Sequence, residues 1–454
     1  MAEIHVAQAL IEDGWRRNVL ITFAGRTITA IAPDCAASAN AEQFSGAAVP
    51  GVANVHSHAF QRAMAGLVER RGPEDDSFWT WREVMYRFLA TMTPDDIEAV
   101  AAWAYAEMLE SGFTTVGEFH YLHNAPDGTH YADPAETGAG IVAAAEASGI
   151  GLTLLPSFYA HGGCGGQPPM PGQARFLFDL EGFGRLLESS RRHVARLPGA
   201  TLGIAPHSLR AVDAPELRAL VEQWATGPIH IHAAEQVREV EDCIAWSGAR
   251  PVQWLLDNVN VDARWCLIHC THMTPDESTR LAQSGAVAGL CPITEANLGD
   301  GIFEASRFAA AAGRFAVGTD SNVRIALNEE LRTLEYGQRL RERKRNRLGP
   351  IGASTGRHLF DTARRGGAQA LKLTSGTLGV GQSADIVILD EAHPALAGRK
   401  GDQLIDSWLF AAGDGAVRDV FAGGRKIVTG GRHVRRDEIQ RRFAAAMSRL
   451  LEDA

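Results

Sequence analysis

The sequence predicts an α/β protein, a (β/α)8 TIM-like barrel with a small β-sandwich domain built from both chain ends, and three observations predict it. The chain has 454 residues, too many for one ordinary core and enough for a barrel plus a smaller domain. From about residue 49 to about residue 370, short apolar segments alternate with stretches of helical periodicity. Both flanks instead alternate apolar and polar residues in short pieces punctuated by glycine, as antiparallel strands do.

Taken in order, residues 18–23 and 27–31, separated by Gly25, read as small strands. Eight apolar segments then read as barrel strands: 48–55, 113–119, 151–157, 201–206, 228–233, 264–269, 286–291 and 314–319. Most precede a helical pattern, for example 94–111 and 275–284. Short strands return at 384–389, 420–424 and 426–428, and the chain closes on a helical pattern from 436. The expected division is 1–48 for the first part of the β-domain, 49–370 for the barrel, 371–435 for its second part, and 436–454 for a terminal helix.

The composition is that of a globular enzyme, with 45% hydrophobic and 22% charged residues. A balance of 44 Lys+Arg against 54 Asp+Glu leaves a charge of −10 and gives no electrostatic reason to expect nucleic acid as a partner. The basic run 339–347 lacks interleaved aromatics and reads as a solvated helix face. An anionic substrate would therefore need local arginines. The six cysteines (35, 164, 243, 266, 270 and 291) form no CxxC pair, which suggests isolated thiols in a reducing compartment. No signal peptide opens the chain, and no apolar run approaches the roughly 20 residues that span a bilayer. A cytoplasmic protein with no membrane contact is expected.

Chemistry enters at the strand ends. His56 and His58 form an H-x-H pair on the first strand, and the two-residue repeat of a strand points both imidazoles to one side. Alone, such a pair is more often a satisfied polar pair than a ligand pair. The fifth strand adds His232 and Glu235, the sixth His269, and the eighth Asp320. Functional groups of such barrels come from the carboxyl ends of strands, and these residues stand there on four of them. His230 also falls on the ligand side but lies deeper, as a core or supporting residue. Cys270 has no base aimed at it and reads as a buried thiol.

The segments 50–58, 232–235, His269 and Thr319-Asp320 resemble the amidohydrolase superfamily along nearly the whole chain. Within it, 56–66, 78–82, 118–121 and 206–210 are similar to the formimidoylglutamate deiminase branch. The resemblance implies that His56, His58, His232 and Asp320 hold one divalent metal ion, with zinc as the expectation. Iron, manganese and nickel suit the same donors. One ion is implied because no lysine ends the fourth strand, where binuclear members carry a carboxylated one. A metal lowers the pKa of bound water to about 7 and supplies hydroxide at neutral pH. Asp320 would take a proton from that water, Glu235 would shuttle protons to the leaving nitrogen, and His269 would orient the water and stabilise the tetrahedral intermediate.

The implied reaction converts N-formimino-L-glutamate to N-formyl-L-glutamate and ammonia in histidine degradation. A small dicarboxylate needs guanidinium partners, and Arg82 and Arg210 are the candidates, with Tyr121 and His207 as hydrogen-bond partners and Gln61 near the formimino group. Glu118 and His120 are candidate supports. Two rival readings remain: a mononuclear deaminase of a purine, pyrimidine or triazine ring, and a metal-free barrel serving as a scaffold. The branch also implies a homodimer. Whether the loop 162–173, rich in Gly and Pro, closes over the site stays open.

Overall fold

A computed structural model describes residues 1–72 and 76–452. Strands from both chain ends share one eight-stranded mixed sheet. Ala2–Ile11, Gly14–Ala24, Thr27–Ala32 and Glu42–Pro50 come from the front, and Ile386–Leu389, Val417–Ala422, Arg425–Thr429 and Arg432–His433 from the back. Glu42–Pro50 pairs parallel with Ala2–Ile11 and antiparallel with Ile386–Leu389, and so joins the two halves. Ile4, Val6, Val19, Ile21, Phe23, Ile386, Ile388 and Phe421 fill a core that belongs to this sheet alone.

Every strand of the second region pairs parallel. Val52–Ser57, Phe113–His120, Gly151–Phe158 and the short pieces Thr201–Leu202 and Ala205–Pro206 form one series. Ile229–Ala233, Trp265–His269, Val287–Leu290 and Arg314–Val317 form the other. Isolated parallel bridges link the series at Ile204–Ile229, Ser208–His232 and Ser57–Asp320. Phe113–His120 is buried along its full length, as expected of a strand covered on both faces.

The intervening helices start where the sequence supplies caps. Thr93, Asp213 and Thr274 each accept a backbone hydrogen bond from the third helical residue, Asp96, Glu216 and Glu277 respectively. A proline occupies the first turn of each of these helices, where its missing N–H is no loss.

Three details differ from the sequence reading. The expected first strand, 48–55, is two strands in two sheets, divided at Gly51. A side chain there would collide with Thr114, its Oγ1 lying 2.3 Å from the Cβ position. The fourth strand is reduced to two dipeptide pieces, with the polar turn Ser208–Arg210 following directly. Of the six free cysteines five are buried, and Cys164 and Cys243 are hydrogen-bonded to each other, so not every thiol is isolated.

Helix Arg436–Glu452 packs on Pro94–Ser111, with Phe443 stacked on Trp103 at 5.5 Å. In the basic run Arg339 pairs with Glu335 at 2.7 Å, Arg341 with Glu304 at 2.8 Å, and Arg347 with Glu342. No helix among the described residues is long and apolar enough to cross a membrane.

Candidate metal centre and active site

Three strand ends bring four metal-type donors together. His56 lies within Val52–Ser57 and His58 just beyond it; His232 lies on Ile229–Ala233, and Asp320 follows Arg314–Val317. His232 Nε2 stands 3.1 Å from His56 Nε2 and 3.4 Å from His58 Nε2, and Asp320 Oδ1 is 3.4 Å from Nε2 of both His56 and His58. All four residues are buried. His58 Nδ1 donates to the Phe119 carbonyl at 2.8 Å, and His232 Nδ1 donates to the His207 carbonyl at 2.9 Å. Those bonds place the ring protons on Nδ1 and leave bare Nε2 lone pairs facing one point. Lone pairs and a carboxylate so gathered repel one another unless a cation stands among them. The donor set fits a divalent metal.

The electrostatics agree. Burial pushes the His56 imidazole down to about 3, and burial also holds His58 and His232 low, so all three are neutral as ligands must be. For Asp320 burial opposes ionisation, but the surrounding imidazoles of His56, His269 and His58 outweigh it and keep the carboxyl ionised. Asp320 also shares a second donor group with His269 and Cys291. Burial, with Asp320 and Glu295 nearby, holds the Cys291 thiol protonated and therefore a poor ligand.

The backbone around these groups is unusual. Ala234, His269, Cys270, Asp320 and Asn322 all have positive φ, between 45° and 70°. Such conformations cost about 1–3 kcal/mol each and persist only where the surroundings over-determine them. Here the Asn322 amide donates to the carbonyls of His58 (3.2 Å) and Asp320 (3.0 Å), tying the first strand end to the last.

Glu235 follows the left-handed Ala234, and the Glu239 carboxylate accepts from both their backbone amides at 3.2 and 2.9 Å. Glu235 Oε1 lies 3.8 Å from His269 Nε2, and its Oε2 accepts from Arg210 Nη2 at 3.4 Å. Burial raises the Glu235 carboxyl above its ordinary range, with His269 and Arg210 pulling against it. For His269 burial is overcome by Glu235, the hydrogen bond to Glu295 and Asp320, and the imidazole is pushed up to about 10.

Of the residues expected to hold the metal, carry the chemistry or bind the substrate, all except His56 line one cavity. Gln61 Nε2 donates to the Tyr121 hydroxyl at 2.8 Å, while its buried Oε1 has no hydrogen-bond partner among the described residues. The His207 ring lies 4.8 Å from His232 and 5.5 Å from Tyr121. Arg82 stacks on Trp79 at 4.5 Å and Arg210 on Phe78 at 5.6 Å, so the two guanidinium groups share one aromatic patch. Arg82 Nε is buried with no hydrogen-bond partner among the described residues.

Residues 47–427 match the model of the amidohydrolase family. The chain belongs to the amidohydrolase family. Within that family, residues 1–45 match the model described as "Formimidoylglutamate deiminase HutF, N-terminal domain". The chain is 51% identical over 458 residues to a formimidoylglutamate deiminase of Pseudomonas aeruginosa, covering 100% of each chain. It resembles the crystal structure of an amidohydrolase from Brucella melitensis with a TM-score of 0.95 and 54% identity, covering 99% of this chain and 100% of that one. It also shares its fold with an adenosine deaminase from Xanthomonas campestris with bound zinc, at a TM-score of 0.81 and 21% identity, covering 99% and 98%.

The remaining candidates divide between the site and its surroundings. Glu118 accepts from the Ala59 amide at 2.7 Å, and burial pushes its carboxyl up to about 8; it supports the turn after His58. His120 does not support the site. Strand alternation turns Phe119 inward, against His56 and His232, and sends His120 outward to Thr137 at 2.9 Å. His230 donates to the Ala370 carbonyl at 2.9 Å, as a core residue. Cys270 is buried, and burial raises its thiol far above the ordinary range.

Sequence reasoning missed Tyr86, Tyr159 and Phe176, which also line this amidohydrolase cavity. Tyr159 directly follows strand Gly151–Phe158, so the strand-end rule would have found it. His161, Asp213 and Glu216 form another donor group, but Asp213 and Glu216 cap each other's backbone amides, which accounts for the grouping without an ion.

Proposed function

We propose that the protein hydrolyses N-formimino-L-glutamate to N-formyl-L-glutamate and ammonia, using one divalent ion, zinc in our reading, held by His56, His58, His232 and Asp320. The full-length identity to the P. aeruginosa enzyme carries this reading. The site supports it by setting a donor cluster and two arginines on one cavity.

The ion, when bound, would supply Lewis acidity and make water at the site more acidic. Asp320 would accept a proton from the attacking water, and His269, 3.8 Å from Asp320 Oδ2, would stabilise developing oxyanion charge. Glu235 carries a proton to the departing nitrogen, a task suited to a carboxyl whose affinity for protons is raised. Water adds to the formimino carbon, the carbon–nitrogen bond breaks, and nitrogen leaves as ammonia. Gln61 offers its unpartnered Oε1 to the formimino N–H, while Arg82 and Arg210 take the two carboxylates, with Tyr121 and His207 completing the hydrogen bonds.

The rival ring deaminase draws on the aromatic wall, but guanidinium groups lie over those rings: Arg82 over Trp79 and Tyr86, and Arg210 over Phe78. The complete donor set argues against a metal-free scaffold. We read the parallel strands as a closed eight-stranded barrel of residues 49–370. The mixed sheet is the small β-sandwich, from 1–48 and 371–435, and 436–454 is the terminal helix. A cytoplasmic homodimer is part of the proposal, and light scattering tests the dimer.

An ammonia-release assay on N-formimino-L-glutamate beside guanine, cytosine and adenosine tests the substrate. Release from a nucleobase but not from formimino-glutamate would overturn it.

A further inference from the structure

We infer that Glu295 is a positioning residue, which acts by holding the Nδ1 side of His269 so that Nε2 faces the reacting centre. This rests on the role given to His269 above. Glu295 lies on helix Pro292–Leu298, after strand Val287–Leu290, and is 4% exposed. It does not line the cavity, so it acts through another group.

One oxygen makes both of its contacts. Glu295 Oε1 accepts from the Cys291 backbone amide at 2.9 Å and from His269 Nδ1 at 3.3 Å. The amide belongs to the turn that opens the helix, so the carboxylate is pinned by backbone before it meets the imidazole. A carboxylate is acceptor-only, so the proton of this bond sits on His269 Nδ1. The opposite nitrogen, Nε2, stands 3.8 Å from both Glu235 Oε1 and Asp320 Oδ2 and has no hydrogen-bond partner of its own among the described residues.

The rest of the surroundings leaves the ring's rotation about its Cβ–Cγ bond to Glu295. His232 stacks against one face at 5.7 Å, but a ring turned by 180° lies in the same plane, so the stacking does not distinguish the two orientations. The His269 backbone is left-handed, φ 70°, so the side chain departs from the strand at an angle that strand geometry does not dictate. A half-turn would put Cδ2 where Nδ1 now stands and Cε1 where Nε2 does, so neither contact could be made. Carboxylates that hold the far nitrogen of a functional histidine commonly set its tautomer and aim, and removing them typically costs about 10–100-fold.

The test compares wild type with Glu295→Ala, which removes the acceptor of both contacts, and with Glu295→Gln, which keeps one oxygen for them. Glu295→Ala should lower kcat on N-formimino-L-glutamate about 10–100-fold, with KM and metal content within about twofold of wild type, and Glu295→Gln should recover most of that loss. In a His269→Asn background Glu295→Ala should cost under about twofold, because the group it serves is gone. A crystal structure of Glu295→Ala should show the His269 ring rotated. If Glu295→Ala does not fold, Glu295→Leu takes its place in each arm.

A kcat loss below about threefold, a loss that tracks metal content, or an unmoved ring in Glu295→Ala overturns the inference. The crystallographic arm needs no turnover. If wild-type enzyme released no ammonia from this substrate, the substrate reading alone would fail, and the ring's orientation would still decide the role of Glu295.

Discussion

The two halves of the cavity are built differently. The donor half consists of His56, His58, His232 and Asp320 at strand ends, with ring nitrogens bonded to backbone carbonyls and Asp320 itself in a left-handed conformation. The arginine half is carried by helix Phe78–Leu89 and the turn after Ala205–Pro206, where Arg82 and Arg210 are held against aromatic faces. Backbone hydrogen bonds are directional, whereas stacking tolerates sliding and rotation. The donor half is therefore fixed by directional bonds, whereas stacking leaves the arginine half more room to adjust.

The sharpest break of that comparison is removal of a donor. His232→Ala should lose bound metal and lower kcat/KM by about 10³-fold or more, since a Lewis acid supplies several kcal/mol of transition-state stabilisation. Metal analysis beside the ammonia assay checks it; full metal content with full activity would take His232 out of the ligand set. Next, Glu235→Gln should retain metal but lower kcat about 10²–10⁴-fold, the worth of a positioned acid–base group. A variant that loses metal in step with kcat would move Glu235 into the donor half.

Arg82→Met probes the other half. It should leave metal and Tm unchanged and reduce kcat/KM about 10–100-fold, mainly through KM, as charge-assisted hydrogen bonds contribute about 1.5–3 kcal/mol. Wild-type kinetics would end its role as a carboxylate clamp.

The smallest expected effect lies beside the cavity, at His123. Burial holds this imidazole down at about 4, although its bond to the Ser157 carbonyl at 2.9 Å opposes the shift. Between about 4 and the ordinary imidazole value of 6.5 the unfolded chain is protonated and the folded one is not. The associated stability is thus complete above 6.5 and lost as pH falls toward 4. His123→Gln should flatten the fall of Tm over that window, by about 2–4 °C for each kcal/mol removed. An unchanged slope would mean the histidine is not buried neutral.

The legible part of the site was the part that obeys a short repeat. His56 and His58 share a face because strand side chains alternate, and His232, His269 and Asp320 were found because each stands at or just past the carboxyl end of an apolar segment. The same alternation separates His120 from the site, and only the inward turn of Phe119 decided which parity faced the cavity. The first strand was misdrawn at Gly51, where the backbone approach that only a glycine permits is to Thr114, more than sixty residues away.

By itself the sequence determined the alternation of strands and helices, including helices over 94–111 and 275–284, because each pattern depends on residues within a few positions of one another; it put the candidate donors at strand ends. Tertiary structure alone decided what holds those donors and what faces them. Asn322 clasps two strand ends, Glu239 and Glu295 brace Glu235 and His269, and Trp79 and Phe78 carry the arginines. The contacts of Asn322 with His58 and of Arg210 with Phe78 join residues far apart in the chain and follow no period. Which carboxylate or ring lies beside a given group is settled only when the whole chain has packed.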